Sequence, residues 1–111
     1  MDEVRLQRLV EEIVRRVRPR RVYLFGSRTR EAPPVHADVD LAVEGAQPLS
    51  WREERQLREA LDHLAGLWSV DLVFLDRVSP DFAEHVRRQG KVLYDHEKRR
   101  AAGPAASAPG L

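Results

Sequence analysis

The sequence predicts an α+β fold, in which a small mixed β-sheet of about four strands is flanked by helices. Short apolar runs of strand length alternate along the chain with segments whose apolar residues recur at helical spacing. The chain has 111 residues, of which 42% are hydrophobic and 33% are charged. That is enough for one modest core. We therefore expect one domain over residues 1–96, followed by a tail over residues 97–111.

The first half of the chain is predicted to contain one helix and two strands. Apolar residues recur with a helical period from near the N-terminus to Val17, and Pro19 ends this helix. The apolar run Arg21–Phe25 is short enough for a buried strand. A helical turn is expected over Ser27–Arg30. An extended Pro-Pro loop then leads to a second strand over about Asp38–Val43.

A second helix is predicted to begin at Ser50, because Ser50 followed by Glu53 forms a capping box. Gly66 is a plausible C-terminal stop. Helical spacing predicts which side chains face inward. They are Trp51, Leu57, Ala60, Leu61 and Leu64.

The last third of the domain is predicted to add a strand, a helix and a closing strand. Val70–Leu75 is the strand, and Ser79 followed by proline is a typical helix start. This third helix is expected to bury Phe82 and Val86, and Lys91–Tyr94 forms the last strand. The tail that follows is rich in Ala, Gly, Pro and Ser, so we expect it to be disordered.

Composition excludes several classes of function. The net charge is +1, so strong nonspecific nucleic-acid binding is not indicated. The chain has no cysteine, which excludes disulfides, zinc-thiolate sites and thiol catalysis. No apolar run approaches the roughly 20 residues that span a bilayer, and the acidic N-terminus is unlike a signal peptide. A cytoplasmic location is therefore expected.

Three aspartates lie in predicted strands: Asp38 and Asp40 in the second, and Asp71 in the third. Side chains alternate along a strand, so Asp38 and Asp40 project from the same face. Two carboxylates about 4 Å apart repel by roughly 4 kcal/mol at an effective dielectric near 20. A divalent cation converts this repulsion into ligation, and an all-oxygen ligand set favours Mg²⁺. The alternative for Asp71 is a strand-edge acid paired with arginine; Asp76 is a weaker candidate.

A phosphate-binding turn is predicted directly after the first strand. Gly26 lets backbone N–H groups approach a phosphate closely, and the N-terminus of a following helical turn favours an anion. The Ser27 hydroxyl can add a hydrogen bond, and Arg28 and Arg30 can reach a triphosphate as bidentate donors. The alternative is an ordinary turn with Ser27 as N-cap and solvated arginines. His36 could contact metal or nucleotide, although a loop histidine with no such role is the simpler interpretation.

This arrangement resembles the nucleotidyltransferase superfamily related to DNA polymerase beta. Within it, the chain looks like the minimal nucleotidyltransferases, small prokaryotic proteins often encoded beside a HEPN-domain partner. The resemblance covers about Val22 to Tyr94. It departs from many relatives at Arg30-Glu31, where they have glycine, and at Ala37, where they have serine. The matching motif is a Gly-Ser pair, ten residues, Asp-x-Asp and a later acid on a strand, here Gly26, Ser27, Asp38, Asp40 and Asp71.

The resemblance implies a polymerase beta-like fold and a Mg²⁺-dependent transfer of AMP from ATP. Asp38 and Asp40 would hold the metal against the nucleotide phosphates. Asp71 would complete the ligands near the attacking hydroxyl, as base or second-metal ligand. These three are the expected catalytic and metal-binding residues; Gly26, Ser27 and Arg28 are the expected nucleotide-binding residues. The acceptor would be a tyrosine of a HEPN-type RNase encoded nearby, which the chain silences as an antitoxin.

Two other functions stay open. The chain could neutralise a partner by complex formation alone, or it could be the nucleotide-binding half of a two-chain small-molecule nucleotidyltransferase. The acceptor is expected on another polypeptide, because the ordered part is too short to build an acceptor domain. The basic stretch Arg15–Arg21 is either the exposed face of the first helix or a docking patch, and a homo-oligomer is possible.

Overall fold

The computed structural model of the chain describes residues 2–26 and 38–98, which contain three helices and four strands. Helices and strands are mixed along the chain, in agreement with the α+β prediction. In chain order the elements are α1 (Asp2–Val17), β1 (Arg21–Phe25), β2 (Asp38–Glu44), α2 (Trp51–Ala65), β3 (Ser69–Phe74), α3 (Pro80–Gln89) and β4 (Lys91–Asp95).

The four strands form one mixed sheet in the order β3-β2-β1-β4. The central strand β1 is antiparallel to both of its neighbours, β2 and β4. Strands β2 and β3 are parallel, so the chain must cross back over the sheet between them, and α2 makes this crossover. The predicted mixed sheet of four strands is confirmed.

One face of the sheet is covered by α1 and α2, which enclose the larger core. Every second residue of each inner strand points to this face, because side chains alternate. The helices contribute apolar side chains at spacings of three and four residues, including Leu9 and Ile13 from α1 and Leu57 and Leu61 from α2. The strand residues in this core are Val22, Leu24, Val39, Leu41, Val43, Leu72 and Phe74.

The other face of the sheet is covered only in part, by α3. A smaller apolar cluster joins them, and it consists of Tyr23, Ala42, Leu75, Ala83 and Val86, with Phe25, Val73 and Val78 packed at its margin. The part of this face that carries the acidic residues of β2 and β3 lies beside α3. The functional site is therefore on the thinly covered side of the sheet.

Two predicted burials are wrong. Trp51 is 71% exposed; it is the first residue of α2, and the buried residues of this helix begin only at Leu57. Its ring instead lies 5.5 Å from the Arg55 guanidinium. Phe82 is 37% exposed, since the buried residues of α3 are its neighbours Ala83 and Val86.

The local signals for helix ends are confirmed. The Ser50 side chain accepts a hydrogen bond from the Glu53 N–H, and the Glu53 carboxylate accepts one from the Ser50 N–H, which completes the capping box. Gly66 ends α2 with a φ of 65°, a backbone conformation that glycine adopts without strain. Ser79 caps α3, whose first residue is proline.

Several expectations fall on residues outside the described ranges: the helical turn over 27–30, the Pro-Pro loop and the tail from 99 onward. The boundary between a domain over 1–96 and a tail over 97–111 stays a prediction. No helix within residues 2–26 and 38–98 is both long and apolar enough to cross a membrane.

Candidate active site

The acidic site lies where three neighbouring strands meet. Asp40 on β2 is in register with Asp71 on the parallel strand β3 and with Phe25 on the antiparallel strand β1. Residues in register share a face, and neighbouring strands are about 4.8 Å apart. Asp38 lies two residues before Asp40 and therefore on the same face. The sheet thus brings the three predicted acids together on the face that α3 leaves partly open.

These three carboxylates have no cationic partner among the described residues. Asp38 and Asp71 are exposed and Asp40 is half-buried. No lysine or arginine within residues 2–26 and 38–98 forms an ion pair with any of them, although ten such pairs join other residues of the same ranges. The alternative of an Asp71–arginine pair is not found in this part of the chain.

Burial and like charge both act on Asp40. Partial burial is the larger cause that raises the pKa of the Asp40 carboxyl above its ordinary value, and the charges of Asp71 and Asp38 raise it further. A raised pKa means that the ionised form is unfavourable here. A bound cation would reverse this effect by stabilising the charge.

Gly26 is adapted to its contact with Asp40. Its φ is +92°, a region that side chains disfavour. A Cβ atom at this position would lie 2.6 Å from Oδ2 of Asp40, which is shorter than any van der Waals contact. The turn after β1 therefore favours glycine, and a side chain at this position would also have to displace the Asp40 carboxylate.

The donor set fits a magnesium ion that is shared with a substrate. No three side chains of the His, Cys, Asp and Glu types converge closely enough to hold a metal within the described residues. Mg²⁺ is typically bound by one or two carboxylates together with substrate phosphates and water, rather than by an all-protein cage. Asp38 and Asp40, two hard oxygen ligands on one strand face, match that requirement.

The sequence did not point to a further acid on the same face of β2. Glu44, the last residue of β2, is 8% exposed. Its Oε1 accepts a hydrogen bond of 2.8 Å from the Tyr23 hydroxyl, and its Oε2 accepts one of 2.7 Å from Nε of Arg87. Arg21 lies 3.7 Å from Oε1 and also pairs with Asp95 at 3.1 Å. The partners are far apart in sequence, so no local pattern could have indicated them.

The environment of Glu44 lowers its pKa. Burial is the largest single influence and would raise the pKa of this carboxyl, but the hydrogen bonds from Arg87 and Tyr23, together with the charges of Arg87 and Arg21, hold the pKa below its ordinary value. The same contacts tie α3 to β1 and β2. Glu44 is therefore a structural acid that holds α3 on the sheet.

Asp76 and the three described histidines are not part of the acidic site. Oδ2 of Asp76 accepts a hydrogen bond of 3.2 Å from the Gly45 N–H, which links two turns at the Glu44 end of the sheet. His63, His85 and His96 are exposed. The predicted nucleotide-binding or loop residues Ser27, Arg28, Arg30 and His36 lie outside the described residues.

The basic stretch Arg15–Arg21 is divided between different roles. Arg15 and Arg16 both pair with Glu12 on α1. Arg21 pairs with residues of β2 and β4. Much of this charge is thus compensated within the fold, which favours the exposed-helix interpretation over a dedicated docking patch.

Comparison with known proteins identifies the family. The family model for polymerase beta nucleotidyltransferases matches residues 7–99. Over 77 residues the chain is 34% identical to a probable protein adenylyltransferase, MntA, of Haemophilus influenzae, and the match covers 69% of this chain and 68% of that protein.

Two solved structures are also similar. One is a toxin–antitoxin crystal structure with AMP-PNP (TM-score 0.57, 27% identity, covering 99% of this chain and 88% of that chain). The other is a complex from Shewanella oneidensis between a tri-AMPylated HEPN toxin and an MNT antitoxin (TM-score 0.60, 24% identity, covering 99% and 86%), and it shows likeness of fold.

The family match spans every strand and helix except the first turn of α1, and it includes the strands that carry the three aspartates. The sequence identity to the relative from Haemophilus influenzae supports the same family. The chain belongs to the polymerase beta nucleotidyltransferase family and is a minimal nucleotidyltransferase.

Proposed function

We propose that this chain is a Mg²⁺-dependent protein adenylyltransferase, which transfers AMP from ATP to a tyrosine hydroxyl of a HEPN-type partner and acts as the antitoxin of the pair. The observation that carries the proposal is the register of Asp40 with Asp71 on an open face of the sheet, beside Asp38 and without a cation from the described residues. The adenylyltransferase relative supplies the reaction class, and the toxin–antitoxin structure with AMP-PNP supports the nucleotide and the partner.

Each predicted residue has a defined place in this proposal. Asp38 and Asp40 hold Mg²⁺, which would neutralise charge on the nucleotide phosphates. Gly26 leaves space for the Asp40 carboxylate and opens the turn after β1. Ser27 and Arg28 follow Gly26 in the sequence and would donate hydrogen bonds to the triphosphate.

In this proposal Asp71 acts on the acceptor. It lies on β3, the strand on the opposite side of Asp40 from Gly26. The acceptor hydroxyl oxygen forms a bond to the α-phosphorus while the bond from that phosphorus to the β-phosphate bridging oxygen breaks, and pyrophosphate leaves. Asp71 accepts the hydroxyl proton or orients the hydroxyl in line. Most of the rate gain would come from positioning and from neutralising charge.

The experiment mixes the purified chain with the HEPN-type protein encoded beside it, ATP and Mg²⁺, and measures the intact mass of the partner. We expect AMP adducts on a tyrosine that require ATP and disappear with Asp38→Asn. Glu44→Gln is the matched control, since it removes an acid from the same strand face away from the proposed site, and we expect it to retain transfer.

Two results would replace the proposal. Tight binding that silences the partner without any adduct would favour a binding module. Adducts on an added small hydroxyl compound, formed only when both chains are present, would favour the two-chain small-molecule enzyme. We place the reaction in the cytoplasm, where ATP and an RNase toxin are both found.

A further inference from the structure

An aromatic pair stands next to the acidic site. Phe25 is opposite Asp40 in the β1–β2 register, where the Cβ atoms of cross-strand neighbours are about 4.5–5.5 Å apart. The Phe82 ring from α3 meets the Phe25 ring edge to face, with centroids 5.8 Å apart and planes at 81°. Phe25 is half-buried, whereas Phe82 is 37% exposed. An exposed aromatic surface thus begins one residue position away from a proposed metal ligand.

The orientation of α3 fixes which side of the helix faces the site. Phe82 and Arg87 are five residues apart, which places them about 140° apart around the helix. Arg87 contacts Glu44 at the far end of β2, and Phe82 contacts Phe25 near Asp40. The helix therefore lies across the sheet with its Arg87 side toward the structural acid and its Phe82 side toward the acidic site.

Three directions leave the α-phosphorus of a bound nucleotide. In the proposed reaction the acceptor approaches from the Asp71 side, and pyrophosphate leaves toward the turn that Gly26 opens. Asp71 and the end of β1 lie on opposite sides of Asp40 in the sheet, and attack and departure must be roughly in line. The nucleoside is attached off this line, and we place it on the side away from the strands, since the sheet occupies the opposite side. On this face α3 is the element that stands above the sheet, and Phe82 is its exposed aromatic residue beside the acids.

We infer that Phe82, supported by Phe25, forms the nucleobase subsite and stacks against the base of the donor nucleotide. The inference rests on the proposed function, because it uses the same metal site. Stacking on an aromatic face tolerates different bases, since every base has a π-face. The subsite therefore strengthens nucleotide binding without strong selection between adenine and guanine. The acceptor tyrosine is assigned to the Asp71 side of Asp40 instead.

The test measures dissociation constants by calorimetry for the full chain in the presence of Mg²⁺. The ligands are ATP, GTP and inorganic tripolyphosphate, which has the phosphates but no base. A stacked base contributes enough that its loss should weaken binding between about 5-fold and about 100-fold. We expect Phe82→Ala to weaken the binding of ATP and of GTP by similar factors in this range and to leave the binding of tripolyphosphate unchanged. Phe82→Trp should retain wild-type affinity.

A matched control is Trp51→Ala, which removes a more exposed aromatic side chain from α2, on the other face of the sheet. We expect no change in affinity for any ligand. ATP affinity within about twofold of wild type in Phe82→Ala would overturn the subsite, and so would an equal loss for ATP and tripolyphosphate. AMP transfer in the wild-type chain together with either result would leave the proposed function standing. A wild-type chain that binds neither ATP nor tripolyphosphate would contradict both the base subsite and the proposed function.

Discussion

The two ends of β2 carry acids on the same face of the sheet in opposite electrostatic settings. At one end, Asp40 is paired in register with another acid, Asp71, and its pKa is raised. At the other end, Glu44 accepts hydrogen bonds from Tyr23 and Arg87, and its pKa is lowered. The residues are four positions apart, or about 13 Å along the strand. One strand face therefore combines a structural acid with acids available to a ligand.

An acid in this sheet has one of two roles: it stabilises the fold, or it is available to bind a ligand. Glu44 is neutralised by the fold itself, and it fastens α3 over β1 and β2. Asp38, Asp40 and Asp71 add repulsion to the free protein, so their contribution has to come from binding. Burial alone does not explain the difference in pKa, since Glu44 is the most buried of these acids and yet its pKa is lowered. The partners of each carboxylate distinguish them.

The largest expected effect is the loss of activity on replacing Asp40. Asp40→Asn removes a proposed metal ligand, and AMP transfer should fall by more than about 100-fold, because even changes beyond the direct ligands of a metal typically cost 10- to 100-fold. The free energy of unfolding of the free chain should stay equal or rise, since the repulsion from Asp38 and Asp71 is relieved. Transfer assays and urea denaturation measure the two quantities. A variant that unfolds more easily would assign Asp40 a structural role.

Replacing Glu44 should instead lower the free energy of unfolding. Glu44→Ala leaves the buried Tyr23 hydroxyl without its acceptor, and the free energy of unfolding should fall by about 1–3 kcal/mol. The matched control is Glu84→Ala, which removes the exposed partner of Arg87 and Arg88. It should change stability by less than about 0.5 kcal/mol. Equal losses in the two variants would remove the distinction between a buried and an exposed acid.

Gly26→Ala tests the contact between the turn and the acidic site. A side chain at a φ of +92° is strained, so stability should fall by about 1–2 kcal/mol. The new Cβ would also displace the Asp40 carboxylate and weaken Mg²⁺-dependent nucleotide binding. Gly45→Ala is the control, because its φ is +72° and its Cβ would meet Arg20, at the end of β2 away from Asp38 and Asp40. It should lose stability while retaining affinity; equal loss of affinity would mean that strain alone is responsible.

The smallest effect is a pair of opposite pH dependences. Glu44 has a native pKa below its ordinary value of 4.5, so its stabilisation is present above that pH and is lost as the pH falls through the native value. Asp40 has a native pKa above its ordinary value of 3.8, so the free chain gains stability as the pH falls through that raised value. The free energy of unfolding is measured by denaturation from about pH 3 to about pH 7. The loss of stability at falling pH that Glu44 causes should be absent in Glu44→Gln, and the gain that Asp40 causes should be absent in Asp40→Asn. The same pH dependence of stability in the two variants would contradict the opposite pKa directions of Glu44 and Asp40.

Local signals in the sequence were sufficient for the ends of the helices and for the strands. The Ser50–Glu53 capping box and Gly66 act within a few residues, so they can be recognised before the fold is known. The burial of single aromatic residues could not be predicted equally well. Trp51 and Phe82 lie at the margins of amphipathic helices, where the position of the neighbouring element decides exposure.

The acidic site was predictable in part. The spacing of Asp38 and Asp40 implied a shared face, and the family resemblance supplied Asp71. The alignment of Asp71 with Asp40 depends on the parallel register of β2 and β3, which the crossover helix sets. Glu44 could not be found in the same way, since Tyr23 and Arg87 are 21 and 43 residues from it. A buried network of such long range is visible only in the folded chain.

The most direct test of the account is the Mg²⁺ dependence of nucleotide binding at the two ends of β2. Calorimetric titration with a non-hydrolysable ATP analogue would compare the wild-type chain, the Asp38→Asn/Asp40→Asn double variant and Glu44→Gln, each with and without Mg²⁺. We predict Mg²⁺-dependent binding in the wild type and in Glu44→Gln, and none in the double variant. Mg²⁺-dependent binding of unchanged affinity in the folded double variant would contradict the assignment of these aspartates.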